Sequence, residues 1–336
     1  PEHKDDVFKG KVVEVLGKFD APGVDILAIM RGHNLYENFP EKVEKNLIEI
    51  NDFVTEEEIK NRRDLRNIPI VTIDGEDAKD LDDGVFVEYK NGVYRLIVAI
   101  ADVSNYVKEG SPLDKEALRR GTSNYLIDSV IPMLPHKLSN GICSLNHDVD
   151  RLTLSCLMDI DDMGRVISHE IVEGIINVNE RMNYTDVATI LEKEAVDSEL
   201  AEKDPSRSYS SLVKRYKPLI PMFERMHELS LLIRANRESR GSIDFDVSET
   251  KIIVNEEGVP VDIHPYDRNA ATKIIEDFML IANETVAEEY YWAEIPFEYR
   301  IHENPLLEKV DILRDVMKNF KKYFKVSRDK IYPMEY

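Results

Sequence analysis

Cysteine is nearly absent from the chain: only Cys143 and Cys156 occur among 336 residues. Two thiols without metal-ligand spacing argue against a disulfide scaffold and fit a reducing cytoplasm. The chain also has no run of about eighteen apolar residues and no opening signal-peptide pattern, so it predicts neither a membrane span nor secretion. We therefore expect a cytoplasmic protein without a membrane partner.

Positive charge is the second shortage. Lys and Arg number 44 against 65 Asp and Glu, which gives a formal net charge of −21. A protein that binds nucleic acid through its phosphates should be basic somewhere, so this charge alone argues against a nucleic-acid partner. Two explanations would remove the conflict: bound divalent metals that offset acidic side chains, or a basic surface in parts of the protein outside this chain.

The acidic residues concentrate at one place. Six of the ten residues 74–83 are acidic, and they lie between two runs that predict strands, residues 68–73 and 85–89. Carboxylates this close repel one another strongly unless a cation neutralises them. A loop held between two strands cannot expand to dilute its charge, so the pattern favours a divalent-cation site over a solvated loop.

Four aspartates of this acidic loop, Asp74, Asp80, Asp82 and Asp83, supply hard oxygen ligands. Such ligands select Mg²⁺ or Mn²⁺ over thiophilic metals. Asp80 and Asp82 point to one side of an extended segment, and a turn at Gly75 can return Asp74 towards them. Four carboxylates could hold two cations about 4 Å apart, which activate a water and stabilise the leaving oxygen in phosphodiester hydrolysis.

The surrounding pattern predicts a sheet that carries this loop. Asn91-Gly92 predicts a hairpin, and the nearly continuous apolar run after it, residues 93–103, predicts a central strand buried on both faces. Two further strand pairs are predicted over residues 11–16 with 25–30 and residues 152–159 with 165–178. Helices are predicted from a capping box at 55–58, from a Thr185 cap to about 195, over 212–240 with a break near Pro218 and Pro221, over 270–293 and over 307–324.

A series of motifs runs in order along the chain, beginning with Thr-Ile-Asp-Gly-Glu-Asp-Ala-Lys-Asp-Leu-Asp-Asp at residues 72–83. The others occupy residues 97–104, 124–126, 131–135, 143–146, 149–152, 240–245, 275–280 and 299–303. Together they resemble the catalytic (RNB) domain of the ribonuclease II / ribonuclease R family, with the ribonuclease R branch closest. The resemblance spans residues 60–320.

The resemblance implies an α+β fold, in which an RNB catalytic domain with a mixed sheet surrounded by helices follows the end of an OB-type cold-shock domain. We assign residues 1–58 to the cold-shock end with its linker and residues 59–336 to the catalytic domain without its C-terminal part. The family's downstream Ser-Pro-Ile-Arg-Arg-Tyr segment, C-terminal OB-type domain and basic tail do not occur in this sequence. We expect a fragment truncated at both ends, whose absent basic segments account for the negative charge.

The resemblance also implies an activity. Members of the family are processive, Mg²⁺-dependent hydrolytic exoribonucleases that degrade RNA from the 3′ end and release nucleoside 5′-monophosphates. The expected partner is therefore the 3′ end of single-stranded RNA. The expected cofactor is Mg²⁺, with Mn²⁺ as a substitute, and no small-molecule cofactor beyond the metal is expected.

Individual residues match the family's functional positions. Asp74, Asp80, Asp82 and Asp83 match its metal-binding and catalytic aspartates, of which we expect Asp82 and then Asp80 to matter most. Tyr125 and Phe245 match aromatics that stack on RNA bases, each stack contributing about 1 to 3 kcal/mol. The catalytic set is completed by Tyr184, which matches a residue holding the 3′-terminal nucleotide, and by Glu276 or Asp277, one of which matches a carboxylate that positions that nucleotide.

Two other functions compete with this interpretation. In a proofreading-type DEDD exonuclease, Asp74-Gly75-Glu76 would be the first motif, but the required His-x-x-x-x-Asp or Tyr-x-x-x-Asp pair occurs nowhere in the sequence. That reading also leaves Asp80, Asp82 and Asp83 unexplained. The other alternative is a folded module that binds RNA or metal without turnover.

Overall fold

The computed structural model describes residues 2–4, 7–127, 129–242, 250–255, 259–265, 268–301, 303 and 305–320. Its strands are β1 (Glu2–Lys4), β2 (Val7–Lys9), β3 (Arg63–Asp64), β4 (Val71–Asp74), β5 (Asp83–Lys90), β6 (Val93–Ala101), β7 (Asn124–Tyr125), β8 (Val130–Ile131), β9 (Asp150–Ile160), β10 (Val166–Asn177), β11 (Glu180–Asn183), β12 (Thr250–Val254) and β13 (Pro260–Pro265). Its helices are α1 (Val24–Gly32), α2 (Glu41–Ile48), α3 (Glu56–Ile59), α4 (Pro112–Arg120), α5 (Tyr184–Glu192), α6 (Ser198–Lys203), α7 (Tyr209–Arg215), α8 (Ile220–Ser239), α9 (Ala270–Trp292) and α10 (Leu307–Asn319).

Contacts divide the chain into two compact units. The first comprises Pro1–Asp52, Ser104–Ser139 and Ser248–Asp267, and the second comprises Phe53–Val103, Asn140–Val247 and Arg268–Tyr336. The first unit contains three two-stranded sheets, β1–β2, β7–β8 and β12–β13. In it, the guanidinium of Arg120 at the end of α4 stacks over the Phe39 ring at 3.8 Å. The predicted domain boundary near residue 58 stays a prediction.

A seven-stranded sheet forms the centre of the second unit, in the order β11-β4-β5-β6-β9-β10-β3. The pairs β11–β4 and β10–β3 are parallel, and the other neighbours are antiparallel. This mixed sheet and its helices confirm the predicted α+β class. The β5–β6 turn confirms the Asn91-Gly92 hairpin: both residues have positive φ (56° and 84°), as the tight turn requires.

The middle strand β6 separates two apolar cores. Leu96 and Val98 belong to the core shared with α5, α7, α8 and α9, whereas Ile97 and Ala99 belong to the core on the other face. Each of the four side chains is at most 2% exposed. Successive residues of a strand point to opposite faces, so a nearly continuous apolar run is what a doubly covered strand needs. The predicted central position of this strand is confirmed.

The β9–β10 turn approaches α8 closely at Gly164. Gly164 has φ 71°, and a Cβ there would collide with the main-chain carbonyl of Leu232. Its own carbonyl accepts a hydrogen bond from Asn236 Nδ2 at 2.9 Å. We expect Gly164→Ala to lower the free energy of unfolding by about 2 kcal/mol or more, measured by urea denaturation. Gly92→Ala is the control, because Gly92 has φ 84° but open space around it; equal losses would contradict a role for the α8 contact.

Several local predictions can be compared with this structure. The capping box of Thr55 and Glu58 is present, and α7 ends before Pro218, as the predicted break requires. The predicted strand pair over residues 11–16 and 25–30 is wrong, because residues 11–16 are irregular and residues 24–32 form α1. Leu, Ala and Met favour helix here, and their propensity prevails where no partner strand is available. None of the described helices is long and apolar enough to cross a membrane.

Candidate metal centre and active site

The acidic loop connects β4 to β5, so that Asp74 ends one strand and Asp83 begins its neighbour. Leu81 anchors the loop from within, because its side chain is completely buried in the core that contains Ile97 and Ala99. Its amide donates to Ser144 Oγ at 3.1 Å, and its carbonyl accepts from the amide of Leu145 at 2.8 Å. Ser144 Oγ also donates to the carbonyl of Lys79 at 2.8 Å. The motif at residues 143–146 thus holds the loop backbone in place.

The far end of the loop is fixed by the sheet. The carbonyl of Asp82 accepts from the amide of Ala101 at 2.9 Å, which extends the β5–β6 ladder by one residue. A Cβ on Gly84 would come within 2.8 Å of Ile70 Cγ2, so this position has no room for a side chain. Rigid backbone on both sides of the carboxylates is the support that a metal site needs.

The aspartates of the loop perturb one another. Burial raises the pKa of Asp74 to about 7, and the charges of Asp83 and Asp82 add to this rise. Burial raises the pKa of Asp83 to about 6, with the charge of Asp82 contributing. The pKa of Asp82 is raised by burial and by the charge of Asp80. Each of the four aspartates that the sequence singled out therefore interacts electrostatically with at least one other of them.

Two buried carboxylate oxygens make this cluster suitable for a cation. Among the described residues, Asp74 Oδ2 and Asp83 Oδ2 are buried without a hydrogen-bond partner. A divalent cation would satisfy both oxygens and relieve the repulsion, and carboxylates are the donors that Mg²⁺ and Mn²⁺ prefer. Within the described ranges, however, no three Asp, Glu, His or Cys side chains are already grouped closely enough to hold a metal. The aspartate oxygens are suitable ligands for Mg²⁺ or Mn²⁺, but their side chains are not yet arranged around one metal position.

The raised pKa values predict that the free energy of unfolding of the metal-free chain falls as pH rises. Asp83 titrates near 3.8 when unfolded and at about 6 when folded, so ionisation destabilises the fold increasingly as pH rises across this window. We expect Asp83→Asn to raise the free energy of unfolding by about 3 kcal/mol at pH 8 and by nearly nothing below pH 4. Urea denaturation with chelator at both pH values measures this. Asp77→Asn, on the exposed part of the loop, is the control, and an equal gain there would contradict burial as the cause.

Tyr184 reaches the same edge of the sheet through β11. Asn183 pairs with Asp74 in the parallel β11–β4 register, and Tyr184 follows it directly. Asn183 Oδ1 accepts from the amide of Asp186 at 2.8 Å and so caps α5. The predicted Thr185 cap is therefore wrong, because the asparagine two residues earlier performs that function and Tyr184 becomes the first helical residue. The partly buried Tyr184 side chain packs against the core that contains Leu96 and Val98.

The two carboxylates in question on α9 have different surroundings. Asp277 is completely buried; its Oδ2 accepts from Ser230 Oγ at 2.7 Å and from Arg234 Nη2 at 2.8 Å. Arg237 Nη2 lies 3.4 Å from the other oxygen of Asp277. Glu276 has 38% of its side chain exposed and pairs with Arg268. Only Glu276 is accessible to a ligand, and this geometry favours it over Asp277.

The two aromatics expected to stack on bases are not both described. Tyr125 lies on β7 in the first unit, with 67% of its surface exposed. Phe245 falls outside the described residues. The roles of Tyr125, Tyr184 and Phe245 in RNA binding stay predictions.

Sequence reasoning missed two arginines that contact the acidic loop. Arg181 on β11 donates to the carbonyls of Glu76 and Ala78. Arg207 forms an ion pair with the Glu76 carboxylate at 2.7 Å. Both are far from the loop in sequence. The parallel pairing of β11 with β4 places Arg181 beside the loop, and the contacts of Arg207 with Asn183 and Asp186 place Arg207 there. No local motif pointed to them.

Comparison with known families gives a match to the RNB domain over residues 62–333, which is most of the chain. The chain belongs to the RNB family. This family consists of metal-dependent nucleases. A second match, to a cold-shock domain, covers residues 1–40 and confirms the predicted order of the two folds. The match to the RNB domain includes Asp74-Gly75-Glu76 and therefore argues against a DEDD exonuclease motif there.

Curated relatives are named ribonuclease R. The chain is 44% identical over 314 residues to ribonuclease R 1 of Lactococcus lactis, covering 93% of this chain and 37% of the relative. It is 46% identical over 313 residues to ribonuclease R of Thermotoga maritima, covering 92% of this chain and 42% of the relative. The chain thus spans about two fifths of the length of these relatives.

A solved structure shares the architecture of this RNB-family chain. Mycoplasma genitalium RNase R in complex with ribose-methylated single-stranded RNA superimposes with a TM-score of 0.83 at 31% identity. The match covers 96% of this chain and 48% of that structure. It confirms the predicted fold, including the mixed sheet and its helices.

Proposed function

We propose that this chain supplies the metal-binding and 3′-end-holding part of a processive 3′-to-5′ exoribonuclease. The enzyme hydrolyses RNA in the presence of Mg²⁺, or Mn²⁺ in its place, and releases nucleoside 5′-monophosphates during cytoplasmic RNA degradation. The substrate is the 3′ end of a single strand. Similarity to proteins named ribonuclease R over 92% or more of the chain supports this assignment.

The observation that carries the proposal is the cluster of mutually repelling carboxylates on the loop that joins the ends of β4 and β5. Asp74 and Asp83 each have a buried oxygen without a partner among the described residues, and burial raises the pKa of both groups. A structural role would favour paired carboxylates, since buried charges are normally paired or coordinate a metal. Perturbed carboxylates concentrated in one place are typical of functional sites.

Each residue of the cluster has a part in the proposed chemistry. Asp74, Asp80, Asp82 and Asp83 would hold the metal. Bound there, Mg²⁺ would activate a water and stabilise the leaving oxygen of the phosphodiester. Asp74 and Asp83 must lose their protons before they bind the cation, because a protonated carboxyl is a poor ligand. Asp82 is more exposed than Asp74 and Asp83, so part of its carboxylate is accessible to a phosphate.

The remaining site residues would hold the RNA. Tyr184 would pack against the 3′-terminal nucleotide beside the metal, and Glu276 would position that nucleotide through its accessible carboxylate. Tyr125 and Phe245 would stack on bases further along the strand. Stacking suits an enzyme without sequence preference, because every base has an aromatic face.

The direct test is incubation of a 5′-labelled poly(A) strand with this chain and Mg²⁺. A second reaction uses the chain extended by the family's Ser-Pro-Ile-Arg-Arg-Tyr segment, which supplies positive charge to the scissile phosphate. We expect the extended protein to give a ladder of products that shorten from the 3′ end, together with released AMP, and no cleavage after chelation by EDTA. Endonucleolytic products from either protein would contradict the proposal.

The same reaction distinguishes the exoribonuclease from a folded module that binds RNA or metal without hydrolysing RNA. Fluorescence anisotropy with labelled RNA measures binding independently of cleavage. Binding by both proteins without a ladder from either would favour the non-catalytic function. The excess of 65 acidic over 44 basic residues makes weak RNA binding by the chain alone the expected result.

A further inference from the structure

Arg207 occupies a central position among groups that belong to two different segments. It ends the single helical turn Pro205–Arg207, and only 17% of its side chain is exposed. Its Nη2 lies 2.7 Å from Glu76 Oε1 and 2.8 Å from Asp186 Oδ1. Its Nε donates to the same Asp186 oxygen at 2.9 Å, and its Nη2 donates to Asn183 Oδ1 at 3.1 Å. One guanidinium therefore contacts three side chains.

These three side chains come from the two parts of the proposed site. Glu76 lies on the acidic loop, two residues after Asp74. Asn183 and Asp186 form the cap of α5, the helix whose first residue is Tyr184. Arg207 thus joins the segment that carries the metal donors to the segment that presents Tyr184. It does so with charged hydrogen bonds, which are about twice as strong as neutral ones.

The chemistry of the contact requires arginine. A guanidinium is planar, stays charged and presents several donors in a fixed fork, whereas a lysine ammonium is a point charge on a flexible stem. Only 10% of the Asp186 side chain is exposed, so its charge needs the arginine as a partner. Arg181 reinforces the loop side through its hydrogen bonds to the carbonyls of Glu76 and Ala78.

We propose that Arg207 is a positioning residue that couples the acidic loop to the start of α5, so that metal binding also orders Tyr184. This inference rests on the proposed metal-binding function. Arg207 acts through its ion pairs with Glu76 and Asp186 and does not contact the substrate in this role.

Hydrogen–deuterium exchange of the whole chain, with and without saturating Mn²⁺, tests this coupling. Two peptides are followed, one covering residues 75–82 and one covering residues 184–190. In the wild-type chain we expect Mn²⁺ to slow exchange in both peptides by about fivefold or more, a coupling of ordinary size between two sites. In Arg207→Gln we expect Mn²⁺ to slow exchange of the loop peptide alone.

Glu76→Gln is a second variant that breaks only the loop side of the contact. It leaves the Arg207–Asp186 pair intact, so α5 keeps its cap and the fold is retained if Arg207→Gln is unstable. Asp77→Asn is its matched control, because it removes the same charge from the neighbouring exposed position. Arg95→Gln controls for loss of an arginine ion pair on the sheet, since Arg95 pairs with Asp159 at 2.8 Å.

The outcomes separate this inference from the function on which it rests. Protection of α5 that persists in Arg207→Gln and Glu76→Gln, or protection limited to the loop in the wild-type chain, overturns the coupling and leaves the metal site intact. Absence of any Mn²⁺ effect in the wild-type chain overturns the metal site and the coupling with it. Loss of α5 protection in both variants, with both controls unchanged, supports the proposal.

Discussion

Replacing Asp82 with asparagine is expected to reduce Mg²⁺-dependent RNA hydrolysis by about 10² to 10³-fold, the loss typical when one preorganised electrostatic group is removed from an active site. Asparagine keeps the shape of the side chain and the main-chain bond from Ala101 to the Asp82 carbonyl. It removes a charge that raises the pKa values of Asp74 and Asp83, so the fold should not be weakened. Release of AMP from labelled poly(A) measures the rate.

A metal-binding measurement tests the role of Asp82 in holding the metal without relying on RNA hydrolysis. Calorimetry with Mn²⁺ should show clearly weaker binding to the Asp80→Asn/Asp82→Asn double variant than to the intact chain, since two of four proposed ligands are lost. Asp77→Asn is the control for charge removal on the same loop. Equal Mn²⁺ affinities of the intact chain and the double variant would contradict the proposed site.

Replacing Asp277 with asparagine is expected to lower the free energy of unfolding by about 3 kcal/mol or more, because it removes the buried carboxylate that pairs with Arg234 and Arg237. Arg234 and Arg237 both contact the Asp277 carboxylate, and their side chains are only 13% and 15% exposed. Urea denaturation followed by circular dichroism measures the loss. A variant as stable as the wild-type chain would show that the Asp277 charge does not hold α8 against α9.

Glu276→Gln is the matched control on the adjacent position. Its pair with Arg268 is partly exposed and its contact with Arg237 is long, at 3.8 Å, so we expect stability to change by less than about 1 kcal/mol. If Glu276 positions the 3′-terminal nucleotide, this variant should nevertheless slow RNA hydrolysis. Loss of hydrolysis without loss of stability distinguishes Glu276 from Asp277, which the sequence alone could not do.

Features with local causes were predictable from the sequence. The Asn91-Gly92 hairpin follows from two residues that tolerate positive φ, and the buried strand after it follows from its continuous apolar run. The acidic loop could be recognised because its charges lie between two strand patterns. Family motifs supplied the fold and the expected roles of the site residues, which periodicity could not.

Features that depend on distant pairing were not predictable. α1 was mistaken for a strand, since a short apolar run carries no information about whether a partner strand exists. The contact of Arg207 with Glu76 depends on the pairing of β11 with β4, two strands remote in sequence, because Arg207 is held at the start of α5, which follows β11. The choice between Glu276 and Asp277 depended on which face of α9 packs against α8.

The parallel pairing of β4 with β11 has a consequence for insertions and deletions. Residues inserted into a surface loop between these strands lengthen only that loop. The entropic cost of closing a loop grows slowly with its length, so such insertions cost little stability. A residue deleted inside β11 would instead turn its side chains to opposite faces and withdraw Arg181 from the carbonyls it contacts. Homologous chains should therefore vary in length between the two strands and keep a constant length within them.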